Sequence, residues 1–263
     1  GLKPPPPSAN LQISPYLLAT TGETTDGDSP TENSDNLKVG GEFKWAITPN
    51  TVLDGTVNTD FAQADVDQQV QNLTRFSVLF PERRQFFLEN ANIFRTSSTD
   101  LIQPFFSRRI GLDADGQPIP LDGGLRLTSQ TSTQTSGLLV MRQRATSRSS
   151  AAHFDVGRYV KNFSDQSRIG GMVTWRRDNE FEGISSQTNT TATINSFFRP
   201  RQSLSLESML SASNDSEAGN GLAGHMALFS EKNWLFMGLI SQFATEDYLP
   251  GSGFLGFSDF IRV

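Results

Sequence analysis

Cysteine is absent from this 263-residue chain, and only two histidines occur, His153 and His225. No disulfide framework, thiolate zinc site or cysteine nucleophile can be built without cysteine. Two isolated histidines do not make an all-histidine metal centre, so neither a metal nor a cofactor is expected. Charge is scarce as well: 19% of residues are charged, below the ~25% of an ordinary soluble domain. The net charge of −6 argues against a basic nucleic-acid-binding face. No window approaches 18 uninterrupted apolar residues, which rules out a transmembrane helix. A membrane β-barrel stays open, because its per-strand signal is weaker.

What the sequence does contain is alternation. From Asn36 to Ile47 one face reads Leu37, Val39, Gly41, Phe43, Trp45 and Ile47, and the other Asn36, Lys38, Gly40, Glu42, Lys44 and Ala46. Ser203 to Ala212 and Ile169 to Arg176 alternate in the same way. Period two over such lengths exceeds the five or six residues of a common soluble strand. Further strand candidates are 11–20, 51–60, 124–130, 137–145, 151–162, 190–198, 221–230 and 234–245. Clusters such as Thr48-Pro49-Asn50 and Asn214-Asp215-Ser216 separate them and carry turn chemistry. The pattern predicts an all-β, up-and-down antiparallel meander. A bilayer needs ~9–11 residues per tilted strand, apolar outside and polar inside, and several segments meet that length with Ser, Thr, Asn, Gln, Glu and Arg on the second face. Trp45, Tyr159, Trp175, Trp234 and Tyr248 fall near strand ends and are candidates for an interfacial aromatic girdle. A soluble sandwich with one wet face would alternate too.

One stretch breaks the pattern. Around residues 75–111 charges and aromatics interleave, through Phe80-Pro81-Glu82-Arg83-Arg84-Gln85-Phe86-Phe87-Leu88-Glu89 and Phe105-Phe106-Ser107-Arg108-Arg109-Ile110. Glu82, Arg83, Arg84, Glu89, Arg108 and Arg109 are candidates for ion pairs that pin an inward-folded segment, since charges inside a barrel must pair or be hydrated. Glu82 and Glu89 could be imagined as a glycosidase carboxylate pair. Neighbouring arginines would depress both acidities, however, where one must be raised for acid catalysis. No catalytic residue is therefore assigned. Asp113-Ala114-Asp115-Gly116 hints at a calcium loop but lacks the closing bidentate Glu, and reads as a turn. The best helical spacing is Val66 to Leu79.

Several stretches, Ile169-Gly170-Gly171-Met172 among them, resemble one known family. Val39-Gly40-Gly41-Glu42-Phe43-Lys44-Trp45 with Leu53-Asp54-Gly55-Thr56-Val57 resembles the opening of an uncharacterised bacterial outer-membrane barrel domain. That domain follows a family-nine-like carbohydrate-binding module. The Phe80 to Glu89 stretch is similar to its most recognisable segment, with Gln85 where proline is expected, and Phe106-Ser107-Arg108-Arg109-Ile110-Gly111 to its second. Gly253-Phe254-Leu255 fits a later strand position. The resemblance implies a barrel in the outer membrane of a Gram-negative bacterium. It also implies a sugar-binding domain before Gly1 and further strands after Val263.

The resulting expectation is an incomplete transmembrane β-barrel over residues 10–263, after a Pro-rich linker over 1–9, with a lumen segment over 62–111. Its expected role is non-enzymatic: anchoring, or transport linked to a carbohydrate-binding module. Outer-membrane lipid, a glycan held through the preceding domain, and other envelope proteins are the expected partners. A soluble β-sandwich for interaction or adhesion is the alternative, with a glycan-acting hydrolase behind it.

Overall fold

Alternating segments of this length satisfy their backbone only by pairing edge to edge. The structure, a computed structural model, describes residues 10–24, 32–59, 82, 84–112, 119–147, 149–164, 166–232, 235–256 and 260–262. In chain order the elements are β1 (Leu11–Thr24), β2 (Glu32–Thr48), β3 (Thr51–Val57), the one-turn helix α1 (Gln85–Leu88) and the short β4 (Ile102–Gln103). There follow β5 (Leu121–Gln130), β6 (Gln134–Gln143), β7 (Ala152–Ser164), β8 (Ser167–Asp178), β9 (Gln187–Arg201) and β10 (Leu204–Asp215). The chain continues through β11 (Gly219–Lys232), β12 (Leu235–Ala244), the short β13 (Phe254–Leu255) and β14 (Phe260–Arg262).

Twelve strands form one antiparallel sheet in the order β1-β2-β3-β5-β6-β7-β8-β9-β10-β11-β12-β14. The meander is interrupted once: β3 pairs directly with β5, Leu53 opposite Leu127, and the chain between them leaves the sheet. β4 and β13 pair with each other in a separate two-stranded ribbon. Among the described residues no ladder joins β1 to β14.

Register keeps each face consistent across the sheet. One outward row runs Val173, Ala192, Ala212, Leu222, and the next inward row runs Met172, Thr193, Ser211, Ala223. Outward side chains are exposed and apolar on strand after strand: Leu17 on β1, Leu37 and Val39 on β2, Leu138 and Val140 on β6, Ile194 on β9 and Leu210 on β10. Leu210 is 49% exposed, and no second sheet of the described residues covers this face.

The sheet curls. Nine strand steps separate β2 from β12, ~43 Å on a flat sheet at ~4.8 Å per step. Yet Glu89 pairs with Lys44 of β2, and Thr99 accepts a hydrogen bond from Gln242 of β12. Residues 89–99 would span only ~35 Å fully stretched, and Ala91–Phe94 is wound into a 3₁₀ turn. The segment therefore lies in the hollow of the sheet. Its two apolar cores sit there as well. One joins Phe86, Phe87, Phe94 and Ile110 to Leu139, Met141, Phe154 and Met172. The other joins Ile102 to Met209, Ala223, Ala244 and Tyr248.

Two expectations need correction. The inward face was expected to be polar, yet on β6 and β7 it is Leu139, Met141, Phe154 and Val156, all buried. These side chains form the seat of the inward segment, so both faces of β6 are apolar. Gly253-Phe254-Leu255 is not a wall strand: Phe254 and Leu255 pair with Gln103 and Ile102 inside the hollow. The 1–9 linker, residues 62–81 of the expected lumen segment with the Val66–Leu79 spacing, and the Asp113 to Gly116 turn all lie outside the described residues.

Candidate functional site

The inward segment is built around one buried ion pair. Arg84 donates from Nε to Glu82 Oε1 at 2.8 Å and from Nη2 to Glu82 Oε2 at 2.7 Å. Its backbone N–H reaches the same carboxylate at 3.0 Å, and the Ser107 hydroxyl donates to Oε2 at 2.6 Å. Arg84 also donates to the Ser107 carbonyl at 2.8 Å and to the Ile110 carbonyl, and stacks over the Phe87 ring at 4.2 Å. Burial pushes the Glu82 carboxyl up, but the hydrogen bonds and charge of Arg84, with the Ser107 hydroxyl, outweigh it and hold the acid below its ordinary value. The pair thus ties the Glu82–Arg84 corner to the Ser107–Ile110 turn, 23 or more residues away.

A second cluster fastens the segment to the wall. Arg126 of β5 pairs with Asp54 of β3 at 2.8 Å, both side chains being buried. The same guanidinium donates to the carbonyls of Phe86 and of Glu89, the latter at 2.7 Å, and lies over the Phe86 ring at 4.8 Å. Glu89 meets Arg126 at 3.8 Å and pairs with Lys44 of β2. Three neighbouring wall strands thus supply charge to one end of the segment. Arg126 caps backbone carbonyls that a four-residue helix cannot satisfy internally.

A second chain segment enters from the far side. After β12 residues 245–256 turn inward, and Tyr248 is buried with its hydroxyl donating to Ser211 at 2.8 Å. Burial pushes this phenol up to about 12, against the opposing pull of that hydrogen bond. Asn189 donates to the Leu249 carbonyl at 2.7 Å and accepts from Gly251 N at 2.8 Å, while Arg176 donates to the Gly251 carbonyl at 2.9 Å. Gly221 makes room for this loop: a Cβ there would sit 2.2 Å from the Tyr248 backbone. The two inward segments meet where Arg109 Nε donates to the Gly253 carbonyl at 2.9 Å, where Phe106 N donates to the Ser252 carbonyl at 2.8 Å, and in the β4–β13 ribbon. Burial, with the charge of Arg176, lowers the Arg109 guanidinium from its ordinary value.

The expected site residues thus fall in different places. Glu82 and Arg84 pair with each other within the segment. Glu89 is the one that reaches wall cations, and Arg109 binds the second inward segment. Arg108 is half-buried in the Ser107–Arg109 turn, where burial lowers it. Arg83 and Trp234 lie outside the described residues. Trp45, Tyr159 and Trp175 stand on the outer face, 46%, 49% and 37% exposed. Trp45 and Tyr159 flank one rim and Trp175 lies toward the other. Tyr248 is corrected: it is buried in the hollow, because its loop folds inward instead of continuing the wall. Sequence reading missed Lys44, Asp54 and Arg126. Their signal was present, since each is a charge at the inward phase of an alternating strand.

Glu82 is hydrogen-bonded by Arg84 and Ser107, and Glu89 pairs with Lys44 and lies 3.8 Å from Arg126. Asp122, next to the doubtful calcium loop, binds Arg142 at 3.3 Å and Arg144 at 2.6 Å.

Fold and site together define a class: an antiparallel β-barrel wall with two inward-packed segments. Residues 6–135 match the model of a family described as a domain of unknown function (DUF5916), a stretch that takes in β1, β2, β3, the first inward segment and β5. No curated protein and no solved structure matches the chain.

Proposed function

We propose that the protein is a non-enzymatic outer-membrane β-barrel whose lumen is narrowed by two inward segments. Its role is to anchor, or to pass material for, a linked carbohydrate-binding module. The observation that carries the reading is the outer face: exposed Leu, Ile, Val and aromatic side chains recur on β1, β2, β6, β8 to β12, with nothing of the described residues packed on them. An apolar area of that extent is far larger than the patches soluble monomers leave uncovered. Ten of the twelve strands in the sheet have ten to seventeen residues, which match or exceed the ~9–11 that a tilted strand needs to cross hydrocarbon; β3 has seven and β14 three.

The rims support an orientation as well. On one rim the β2–β3, β5–β6, β7–β8 and β9–β10 connections take two or three residues; on the other the β6–β7 and β8–β9 connections take eight and the β10–β11 connection three. Outer-membrane barrels carry short turns on the periplasmic side and longer loops outside, so the short-turn rim is read as periplasmic. The link to a sugar-binding module rests on the resemblance of the Phe80 to Glu89 stretch. Outer-membrane lipid, and envelope proteins at the rims, are the partners this reading requires.

The test is solubility and gel behaviour of the full-length protein. The reading expects extraction only by detergent and a mobility shift between unheated and boiled samples. A full-length protein that stays monodisperse without detergent overturns it. Turnover of glycans abolished by Glu82→Gln would overturn its non-enzymatic part.

A further inference from the structure

The hollow holds one cavity that its own walls do not satisfy. It has a volume of about 560 Å³ and lies between residues 92–98 of the inward segment and strands β5 to β10. Ligand pockets fall in this size range. Arg158 of β7 lines it, 5% exposed, and its Nε and Nη1 have no hydrogen-bond acceptor among the described residues. Nη2 has only a long bond of 3.4 Å to the Arg95 carbonyl. Asn195 of β9, 7% exposed, also leaves its side-chain oxygen without a donor.

An arginine carries five N–H donors and stays charged, so burial with two nitrogens unanswered is costly. The fold nevertheless makes room for it. A Cβ at Gly170 would lie 2.8 Å from Arg158 Nη1, and Gly170 is the cross-strand partner of Asn195. The guanidinium and the unpaired amide oxygen therefore flank one glycine gap. The remaining charges do not neutralise it. Arg168 also lines the cavity, stacked on Phe197 at 5.0 Å. Arg95 is paired with Asp100 at 3.1 Å. Glu207, the cavity's carboxylate, accepts from Ser98 N and lies 3.7 Å from His225. The surplus is cationic, with amide and hydroxyl side chains around it.

We propose that this cavity binds a hydroxylated organic acid, its carboxylate held by Arg158 and its hydroxyls by Asn195 and the neighbouring polar wall. A carboxylate suits a buried guanidinium donor, and the amides and hydroxyls suit a polyol chain. The inference does not depend on the outer face meeting lipid, so the two fail separately.

Calorimetric titration of the full chain in detergent tests it, with gluconate, glucitol, acetate and inorganic phosphate as probes. Gluconate binds saturably, at least tenfold tighter than acetate, and glucitol shows no saturable binding. Arg158→Gln weakens gluconate at least tenfold. Asn195→Asp places a carboxylate beside the guanidinium, so it abolishes gluconate binding and raises the thermal midpoint; this variant decides the matter if Arg158→Gln does not fold. Absence of saturable gluconate binding overturns the proposal. Phosphate binding tighter than gluconate, or gluconate affinity unchanged in Asn195→Asp, does so equally.

Discussion

The two ends of the first inward segment solve the same problem in opposite ways. Residues 84–94 press Phe86, Phe87 and Phe94 onto an apolar seat of Leu139, Met141 and Phe154, and Glu82, Glu89 and the wall's Asp54 each have a cationic partner. Residues 95–99 face Arg158, Asn195 and Glu207 across an open cavity, and two buried polar groups there have none. One end is fastened and the other left receptive. A segment that only blocked the hollow would be expected to satisfy both ends, since unpaired buried polar atoms cost stability without return.

Substitutions can break that contrast. The largest effect is expected at the fastened end from Arg126→Met, which leaves buried Asp54 with only Lys44 at 4.0 Å and frees the Phe86 and Glu89 carbonyls. A loss of about 4 kcal/mol is predicted, read from equilibrium denaturation in detergent. Phe154→Ala empties the seat and should cost about 3–4 kcal/mol in the same experiment. Glu82→Gln breaks the internal pair while keeping its shape, and about 2–3 kcal/mol is predicted.

The Glu82 pair also sets a pH dependence. Its carboxyl is held below the ordinary value in the folded chain. Its contribution is therefore fully present above the unfolded value of about 4.3 and is lost as pH falls through the folded one. The wild-type denaturation midpoint should fall on acidification below that pH, and the fall should be smaller in Glu82→Gln. The smallest effect belongs to the receptive end. Arg158→Met should leave stability unchanged or raise it by up to about 1 kcal/mol, because it removes a charge the fold does not satisfy. A loss there as large as that of Arg126→Met would erase the distinction between the two ends.

Much of the wall was legible in the sequence because period two is a local property. Leu37, Val39, Trp45 and Ile47 point outward as their spacing requires, and the strands meet in the order of the chain. The inward segment was legible only as texture. Arg84 and Glu82 stand two residues apart, so their pairing is local, but the choice of Ser107 and Ile110 as further partners depends on chain closure that no spacing encodes. Arg126 and Asp54 looked like two ordinary polar wall positions. Only the β3–β5 register brings them side by side, and that register skips the whole inward segment. Tyr248 misled for the same reason: an aromatic past the end of a strand looks the same whether its loop stays at the rim or folds into the hollow. The apolar inward face of β6 and β7 erased the alternation where the segment is seated, leaving Leu138-Leu139-Val140-Met141 unreadable by period alone.

The outer face carries the functional account, and its tryptophans offer the most direct measurement. With Trp234→Phe, fluorescence comes from Trp45 and Trp175, both exposed on that face. Reconstituted into vesicles of brominated phosphatidylcholine, the protein should lose most of this emission relative to unbrominated vesicles, because bromine on the acyl chains would touch the rings. Equal emission in the two kinds of vesicle would mean that the apolar surface meets something other than hydrocarbon, and would contradict the account.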